Sequence, residues 1–104
     1  MSKDTNTPFD ARLEQLVEVT GNTPRIRLIA ALILANSDLN MSEISEDANL
    51  ASHTFYDNIE PLLDAGAVEQ TRKVGNRKFY DIVDDHPGVA TIAGHLERVD
   101  ANNE

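Results

Sequence analysis

Apolar residues recur along this chain with a helical spacing up to Gly66, alternate with polar residues in the next stretch, and regain helical spacing after Pro87. A first helix is predicted over about residues 8–20, because Thr7-Pro8 is a favourable helix start and Gly21-Asn22 a stop. Its single apolar stripe is formed by Phe9, Leu13, Leu16 and Val17.

A second helix is predicted from Thr23-Pro24, where the threonine is expected to cap the helix and the proline to start it, to Asn36. This stretch is apolar nearly all round, so it should be the central buried helix. A short link or a strand stub follows at Leu39–Met41.

Two helices separated by Asn49-Leu50-Ala51 come next. Ser42 is expected to cap the first, brief helix and Ser52 the second, longer one. Pro61 should kink the second helix or shorten its last turn, and Gly66 should end it. The inward-facing residues are predicted to be Ile44 and Ala48 in the first helix, and Phe55, Ile59, Leu62 and Leu63 in the second.

The alternating stretch predicts two strands, Val68–Val74 and Arg77–Val83, joined by a two-residue turn at Gly75-Asn76. A last helix should begin at Pro87, with an aspartate or His86 before it at the cap. Its apolar stripe consists of Val89, Ile92, Ala93, Leu96 and Val99.

This order of elements predicts a mainly α fold with a small β-hairpin, namely a winged helix-turn-helix flanked by N- and C-terminal helices. In such a fold the helix starting at Ser52 is the recognition helix and the hairpin is the wing. We expect one domain over residues 1–104, with a core at about 23–83 and flanking helices at about 8–20 and 87–99.

Three short segments carry a family resemblance. Gly21–Arg25 leads the buried helix, Thr71–Asn76 leads the hairpin turn, and Asp84–Pro87 precedes the last helix. Together they resemble small winged-helix regulators of haloarchaea, which are related to the MarR/ArsR-like group. The resemblance covers most of Leu16–Leu96 and implies a regulator that binds double-stranded DNA as a homodimer.

The charge is unusual for a DNA-binding protein. Eighteen acidic and nine basic residues give a net charge of −9, and only three of the bases are lysines. Such a surface repels nucleic acid at low salt and suits a halophilic cell; the alternative is an acidic protein from an ordinary cytosol. Gln70–Tyr80 is the exception at +4, which leaves −13 for the rest of the chain and predicts a separate role for this segment.

The recognition helix offers hydroxyl, imidazole and phenol groups in its first turn, which can contact base edges or phosphates in a major groove. An aspartate there could accept from cytosine N4. The alternative is a solvated helix face. The candidate residues are Ser52, His53, Thr54, Tyr56 and Asp57.

In the wing, the predicted register places Lys73 opposite Lys78, a pairing that costs stability unless an anion lies between the two charges. Phosphate contact is therefore expected at Arg72, Lys73, Asn76, Arg77 and Lys78; the alternative is pairing with acids elsewhere on the chain. Further candidate phosphate contacts are Arg25, Arg27 and Ser42, although salt bridges to nearby acids would equally explain the two arginines.

The first and last helices each carry one apolar stripe, which suggests an isologous dimer interface. The alternative is that both stripes complete the core of the monomer. The expected interface residues are Leu13, Leu16, Val17, Ile92, Leu96 and Val99.

Several classes of function are disfavoured. There is no cysteine, no metal-ligand spacing, no phosphate-binding glycine loop and no nucleophile elbow, so we expect neither an enzyme nor a cofactor. No apolar run could span a membrane and no secretory signal is recognisable, so a cytoplasmic protein is expected. The sequence predicts a sequence-specific transcriptional regulator, with a winged-helix adaptor for protein partners as the alternative. No effector can be identified.

Overall fold

The computed structural model describes the backbone of residues 19–102 and the side chains of residues 19–97. Val19 and Thr20 are helical, at the end of the first predicted helix; Phe9, Leu13, Leu16 and Val17 lie outside the described residues. The elements that follow are α1 (Thr23–Ala35), β1 (Leu39–Asn40), α2 (Met41–Ala48), α3 (Ser52–Asp64), β2 (Val68–Val74), β3 (Arg77–Ile82) and α4 (Pro87–Asn102).

Asparagine side chains cap α1 and α2, one or two residues before the predicted caps. Asn22 accepts from the backbone N–H of Arg25, and Thr23 is already inside the helix. Asn40 and Glu43 form a capping box in which each side chain accepts from the backbone N–H of the other residue, at 2.9 and 3.0 Å. The prediction of Ser42 as a cap is therefore wrong, because Asn40 already supplies the acceptor.

The start of α3 also differs from the prediction. Ala51 occupies the cap position and makes no side-chain hydrogen bond, while Ser52 is the first helical residue. The helix continues through Pro61 to Asp64 and ends in a Schellman motif, in which Gly66 has a φ of 76°. The N–H of Ala67 donates to the carbonyl of Leu62 at 3.0 Å in this motif.

Helix α1 lies at the centre of the fold and packs against α2, α3 and α4. Leu28, Ile29 and Leu32 are fully buried, as predicted, but Leu34 is 64% exposed, so the expectation of burial all round is wrong there. The core cluster consists of Val19, Leu28, Ile29, Leu32, Ile44, Phe55, Ile59, Leu62, Ala67, Val68, Tyr80, Val89 and Ile92.

The three strands form an antiparallel sheet in the order β1-β3-β2. The predicted strand stub is β1, in which Leu39 pairs with Tyr80. The hairpin has the expected register, with Lys73 opposite Lys78, and Gly75 alone in its turn has a positive φ, as in a type II′ turn. A register shift between Gln70 and Arg72 leaves one extra residue, Thr71, in β2, which is a β-bulge.

Helix α4 starts as predicted at Pro87, with His86 before it. The imidazole Nδ1 of His86 accepts from the N–H of Gly88 at 3.0 Å. Further along α4, Ile92 is buried in the core, and Leu96 is partly buried and packs against the core. Ile92 thus follows the monomer-core alternative for this stripe, whereas the side chain of Val99 lies outside the described residues. Among the described residues, no helix is both long and apolar enough to cross a membrane.

Candidate nucleic-acid interface

The outer face of α3 carries most of the predicted recognition residues. Ser52, His53, Tyr56 and Asp57 are exposed, and Thr54 is half-buried. Tyr56 is 55% exposed although its ring contacts Phe55 edge to face, at 5.3 Å between centroids. The first two turns of α3 therefore present hydrogen-bonding groups outward while the same turns are held to the core.

A polar contact fixes how α3 is turned on α1. Asn58 is buried at the same helical spacing as the apolar residues around it. Its Oδ1 accepts from Nε of Arg25 at 3.0 Å, and its Nδ2 donates to the carbonyl of Thr54 at 2.8 Å. The bond from Arg25 ties the inner side of α3 to α1, whereas the bond to Thr54 lies within α3 itself.

The second arginine of α1 makes a similar contact with α2. Arg27 donates from a terminal guanidinium nitrogen to the carbonyl of Ala48 at 3.1 Å, at the C-terminal residue of α2. Cations are favourable at this end of a helix, where carbonyls lack helical partners. Arg25 and Arg27 were predicted as phosphate or acid contacts, and the structure adds one contact for each: Arg25 bonds to the amide of Asn58 in α3, and Arg27 bonds to a carbonyl of α2.

The hairpin projects its charges into solvent. Lys73, Asn76, Arg77 and Lys78 are all exposed, and so is Val74, which faces Arg77 across the turn. Lys73 and Lys78 lie directly opposite each other, as the two-residue turn predicted. Like charges in that arrangement repel, which favours an anion between them.

Arg72 differs from the other bases of the hairpin because it has a partner within the chain. Its Nε donates to Oδ2 of Asp38 at 2.9 Å, and its guanidinium carbon lies 4.0 Å from the centroid of the Phe79 ring. The hydroxyl of Thr71 donates to the same carboxyl oxygen at 2.6 Å. The hydrogen bonds from Arg72 and Thr71 lower the pKa of Asp38 below its ordinary value, and the Asp38 carboxylate raises the pKa of Arg72.

A groove of about 280 Å³ brings several predicted residues together. Tyr56 from α3, Ser42 from α2 and the hairpin-tip residues Asn76, Arg77 and Lys78 line it, and Tyr80 also contributes. Burial raises the pKa of the Tyr80 phenol, with further contributions from Tyr56 and Glu60. The groove thus joins a helix face rich in hydrogen-bonding groups to a cationic hairpin.

The charge of the two helices contrasts with that of the hairpin. Helix α3 carries Asp57, Glu60 and Asp64 on its exposed side and has no lysine or arginine. Helix α2 likewise has three acids and no base. Of these three elements, only the hairpin attracts a polyanion.

Comparison with known proteins identifies the fold. The chain resembles the structure of the AntR antimony-specific transcriptional repressor at a TM-score of 0.68 and 22% identity, over 100% of this chain and 93% of that one. It resembles HlyU from Vibrio cholerae at a TM-score of 0.69 and 22% identity, over 90% and 97% of the two chains.

A third similar structure is the homodimeric winged helix-turn-helix DNA-binding domain of a possible ArsR-family transcriptional regulator from Mycobacterium bovis. Its TM-score is 0.65 and its identity 21%, over 99% of this chain and 94% of that one. The chain has a winged helix-turn-helix fold. No family model matches the sequence, and no curated protein matches it.

In this winged helix, α2 and α3 form the helix-turn-helix and the β2–β3 hairpin is the wing, as the order of elements predicted. Helix α3 occupies the position of the recognition helix in this fold. The sequence did not reveal the roles of Asn58, Asp38 and Thr71. Asn58 could have been noticed as a polar residue at a stripe position of α3, three residues after Phe55. Nothing in the sequence signalled that Asp38 reaches the wing, since that contact depends on the bulge. Among the described residues, no cluster of three or more His, Asp or Glu side chains could hold a metal ion.

Proposed function

We propose that this chain is a sequence-specific DNA-binding transcriptional regulator, with the recognition helix in the major groove and the wing on the flanking backbone. The observation that carries the proposal is the groove that Tyr56, Ser42 and the tip of the wing line together. The likeness to a transcriptional repressor and to a homodimeric DNA-binding domain supports it.

Base contacts are assigned to the exposed first turns of α3. His53, Tyr56 and Asp57 offer donors and acceptors of different kinds, which is what discrimination between base pairs in the major groove requires. Asp57 repels phosphate, so its place in the interface is at a base edge, where its carboxylate can accept from cytosine N4. Ser52 and Thr54 lie in the same turn and complete the set.

Phosphate contacts are assigned to the wing. Lys73, Arg77 and Lys78 are exposed, with Asn76 beside them at the turn, and Ser42 adds a hydroxyl on the opposite side of the groove. Phosphate contacts position a protein on the duplex without selecting a sequence. The wing therefore supplies the affinity that the acidic recognition helix lacks.

The working conditions proposed for this protein are those of a halophilic cell. At about 1 M salt the Debye length is ~3 Å, so repulsion between the acidic surface and DNA is largely screened. The same screening weakens the attraction of the wing, and binding then depends on base contacts and DNA shape.

We propose a homodimer as the binding species. The apolar stripe of the first predicted helix, with Leu96 and Val99 of α4, is the candidate interface; Ile92 is left out because the core already buries it. A two-fold dimer places its recognition helices about one DNA turn apart, on a roughly palindromic site.

The proposal is tested by selection from a library of random double-stranded DNA in concentrated KCl. The wild type is expected to enrich a motif with two-fold related halves. The double variant Arg77→Ala/Lys78→Ala should lose most retention, because each lost phosphate contact removes affinity and lowers the salt dependence. The matched control Arg77→Lys/Lys78→Arg preserves both charges and should still enrich the motif. Folded wild-type protein that enriches nothing would refute the proposal.

A protein-interaction adaptor is the second candidate, and the acids on the exposed side of α3 are the observation that favours it. Asp57, Glu60 and Asp64 would suit a basic partner better than they suit phosphate. In that case the selection fails, whereas an Asp57→Asn/Glu60→Gln variant loses binding to a lysine-rich peptide probe in dilute salt. If the variant binds that probe as the wild type does, the adaptor hypothesis is wrong.

A further inference from the structure

The turn between α1 and β1 contacts the wing through the side chain of Asp38. Asp38 lies in this turn, and its carboxylate accepts three hydrogen bonds from two consecutive residues of β2. Thr71 Oγ1 donates to Oδ2 at 2.6 Å, while Arg72 donates to Oδ2 from Nε at 2.9 Å and to Oδ1 from a terminal nitrogen at 3.3 Å. The side chain of Asp38 is only 18% exposed, whereas that of Arg72 is 55% exposed.

The β-bulge makes this contact possible. In a regular strand, consecutive side chains point to opposite faces, so Thr71 and Arg72 could not both reach one carboxylate. The register shift between Gln70 and Arg72 re-aims the strand at this point. The bulge thus allows both Thr71 and Arg72 to donate to the carboxylate of Asp38.

The guanidinium of Arg72 also ties the contact to the helix-turn-helix. It stacks on Phe79, and Phe79 pairs in the sheet with Asn40, the residue that caps α2. A continuous set of contacts therefore runs from Asp38 through Arg72 and Phe79 to the start of α2.

We propose that Asp38 is a positioning residue that fixes the direction of the wing relative to the recognition helix. We call its contacts with Thr71 and Arg72 the brace; Arg72 acts in this brace and does not contact DNA. The brace deepens the proposed function and rests on it for its effect on DNA binding. The negative charge of Asp38 beside the cationic wing weakens the attraction for phosphate. Its role in DNA binding is therefore to position the wing and not to add favourable charge.

The geometry can be measured without DNA. Because the chain has no cysteine, Asn76→Cys at the wing tip and Asp64→Cys at the end of α3 provide the two thiols for spin labels, and both positions are exposed. Electron–electron dipolar spectroscopy should give a narrow distance distribution in the otherwise wild-type chain. Asp38→Asn should broaden it, because an amide offers one acceptor oxygen where the carboxylate offers two.

Two variants keep this test interpretable. Arg72→Lys keeps the charge but loses the forked donor and the planar group that stacks on Phe79, so it should broaden the distribution as well. Asp47→Asn, the same chemical change at an exposed residue of α2, should leave the distribution narrow. An unchanged distribution in both Asp38→Asn and Arg72→Lys would overturn the brace.

DNA affinity gives a second readout in which charge and geometry predict opposite signs. Asp38→Asn removes a negative charge, so electrostatics alone predicts tighter binding to the selected duplex. The brace predicts binding weaker by about two- to five-fold, the range typical of an exposed ion pair. Asp47→Asn should bind at least as tightly as the wild type. Tighter binding by Asp38→Asn would also contradict the brace.

The two proposals fail in different ways. If the wild type selects no DNA but Asp38→Asn broadens the label distances, the proposed function is wrong and the effect of Asp38 on the wing stands. If the wild type selects DNA and the distances do not change, the brace is wrong and the regulator stands.

Discussion

Individual polar side chains hold the helices of this winged helix in place. Asn58 is the clearest case, because it is buried on the inner side of α3 and bonds to Arg25 of α1 and to the carbonyl of Thr54. An apolar residue at this position would pack as well but would leave the Arg25 Nε without this acceptor. A hydrogen bond to a charged group such as a guanidinium contributes more to stability than one between neutral groups.

Asn58→Ala is expected to lower the free energy of unfolding by about 1.5–3 kcal/mol, because it removes a hydrogen bond to a charged group. Urea unfolding in concentrated KCl measures the difference. Glu60→Ala, at an exposed position of the same helix, is the matched control and should stay within about 0.5 kcal/mol of the wild type. Equal losses in both variants would show that the Arg25–Asn58 contact does not stabilise the fold.

At the scale of elements, the hydrophobic pattern predicts the helices and strands much better than it predicts the contacts between side chains. The strands and α3 match the structure within a residue or so, because the spacing of apolar residues sets them directly. The hairpin register followed from the two-residue turn at Gly75-Asn76, since loop length fixes which residues face each other.

The predicted helix caps were less accurate. Thr23, Ser42 and Ser52 were all expected at cap positions, and all three lie inside their helices. Asn22 and Asn40 are equally good caps by residue type, so the sequence alone could not choose between neighbours. Ala51 has no capping side chain, which no preference of residue type would predict.

Part of the candidate site was predictable, because the spacing of apolar residues and the hairpin register also determine which side chains are exposed. The exposure of His53 and Tyr56 follows from the α3 stripe, and the exposure of Lys73 and Lys78 follows from the hairpin. The contact of Arg72 with Asp38 joins residues 34 positions apart through a bulge, and local spacing carries no information about it. Non-local polar contacts of this kind need the tertiary structure.

At the scale of the whole molecule, the acidic surface leads us to expect that the stability of the fold depends on salt. The net charge of −9 on 104 residues produces repulsion within the compact state, and salt screens that repulsion. Many of the acids that the structure describes on α2 and α3 are exposed and close to one another along each helix. The stability of the fold should therefore depend strongly on ionic strength.

The melting temperature is expected to rise steadily as KCl is increased from dilute to concentrated, because screening favours the compact state. Circular dichroism at 222 nm follows the transition. Sucrose at matched water activity serves as a control for effects that do not depend on charge. A melting temperature that is flat or falls with KCl would count against the halophilic assignment.

In the proposed function, the recognition helix selects the DNA sequence and the wing supplies most of the affinity. These two roles are separated by measuring the affinity for the selected duplex and for each of its single-base-pair variants, in concentrated KCl. It compares the wild type, the single α3 variants His53→Ala, Tyr56→Ala and Asp57→Ala, and the wing variant Arg77→Ala/Lys78→Ala.

The α3 variants should each lose discrimination at one or two base pairs, by about 1–3 kcal/mol per position. The wing variant should weaken binding to every duplex by the same factor and leave the preferred sequence unchanged. The opposite result, in which the wing variant changes the base preference while all three α3 variants retain it, would show that the wing and not α3 selects the sequence.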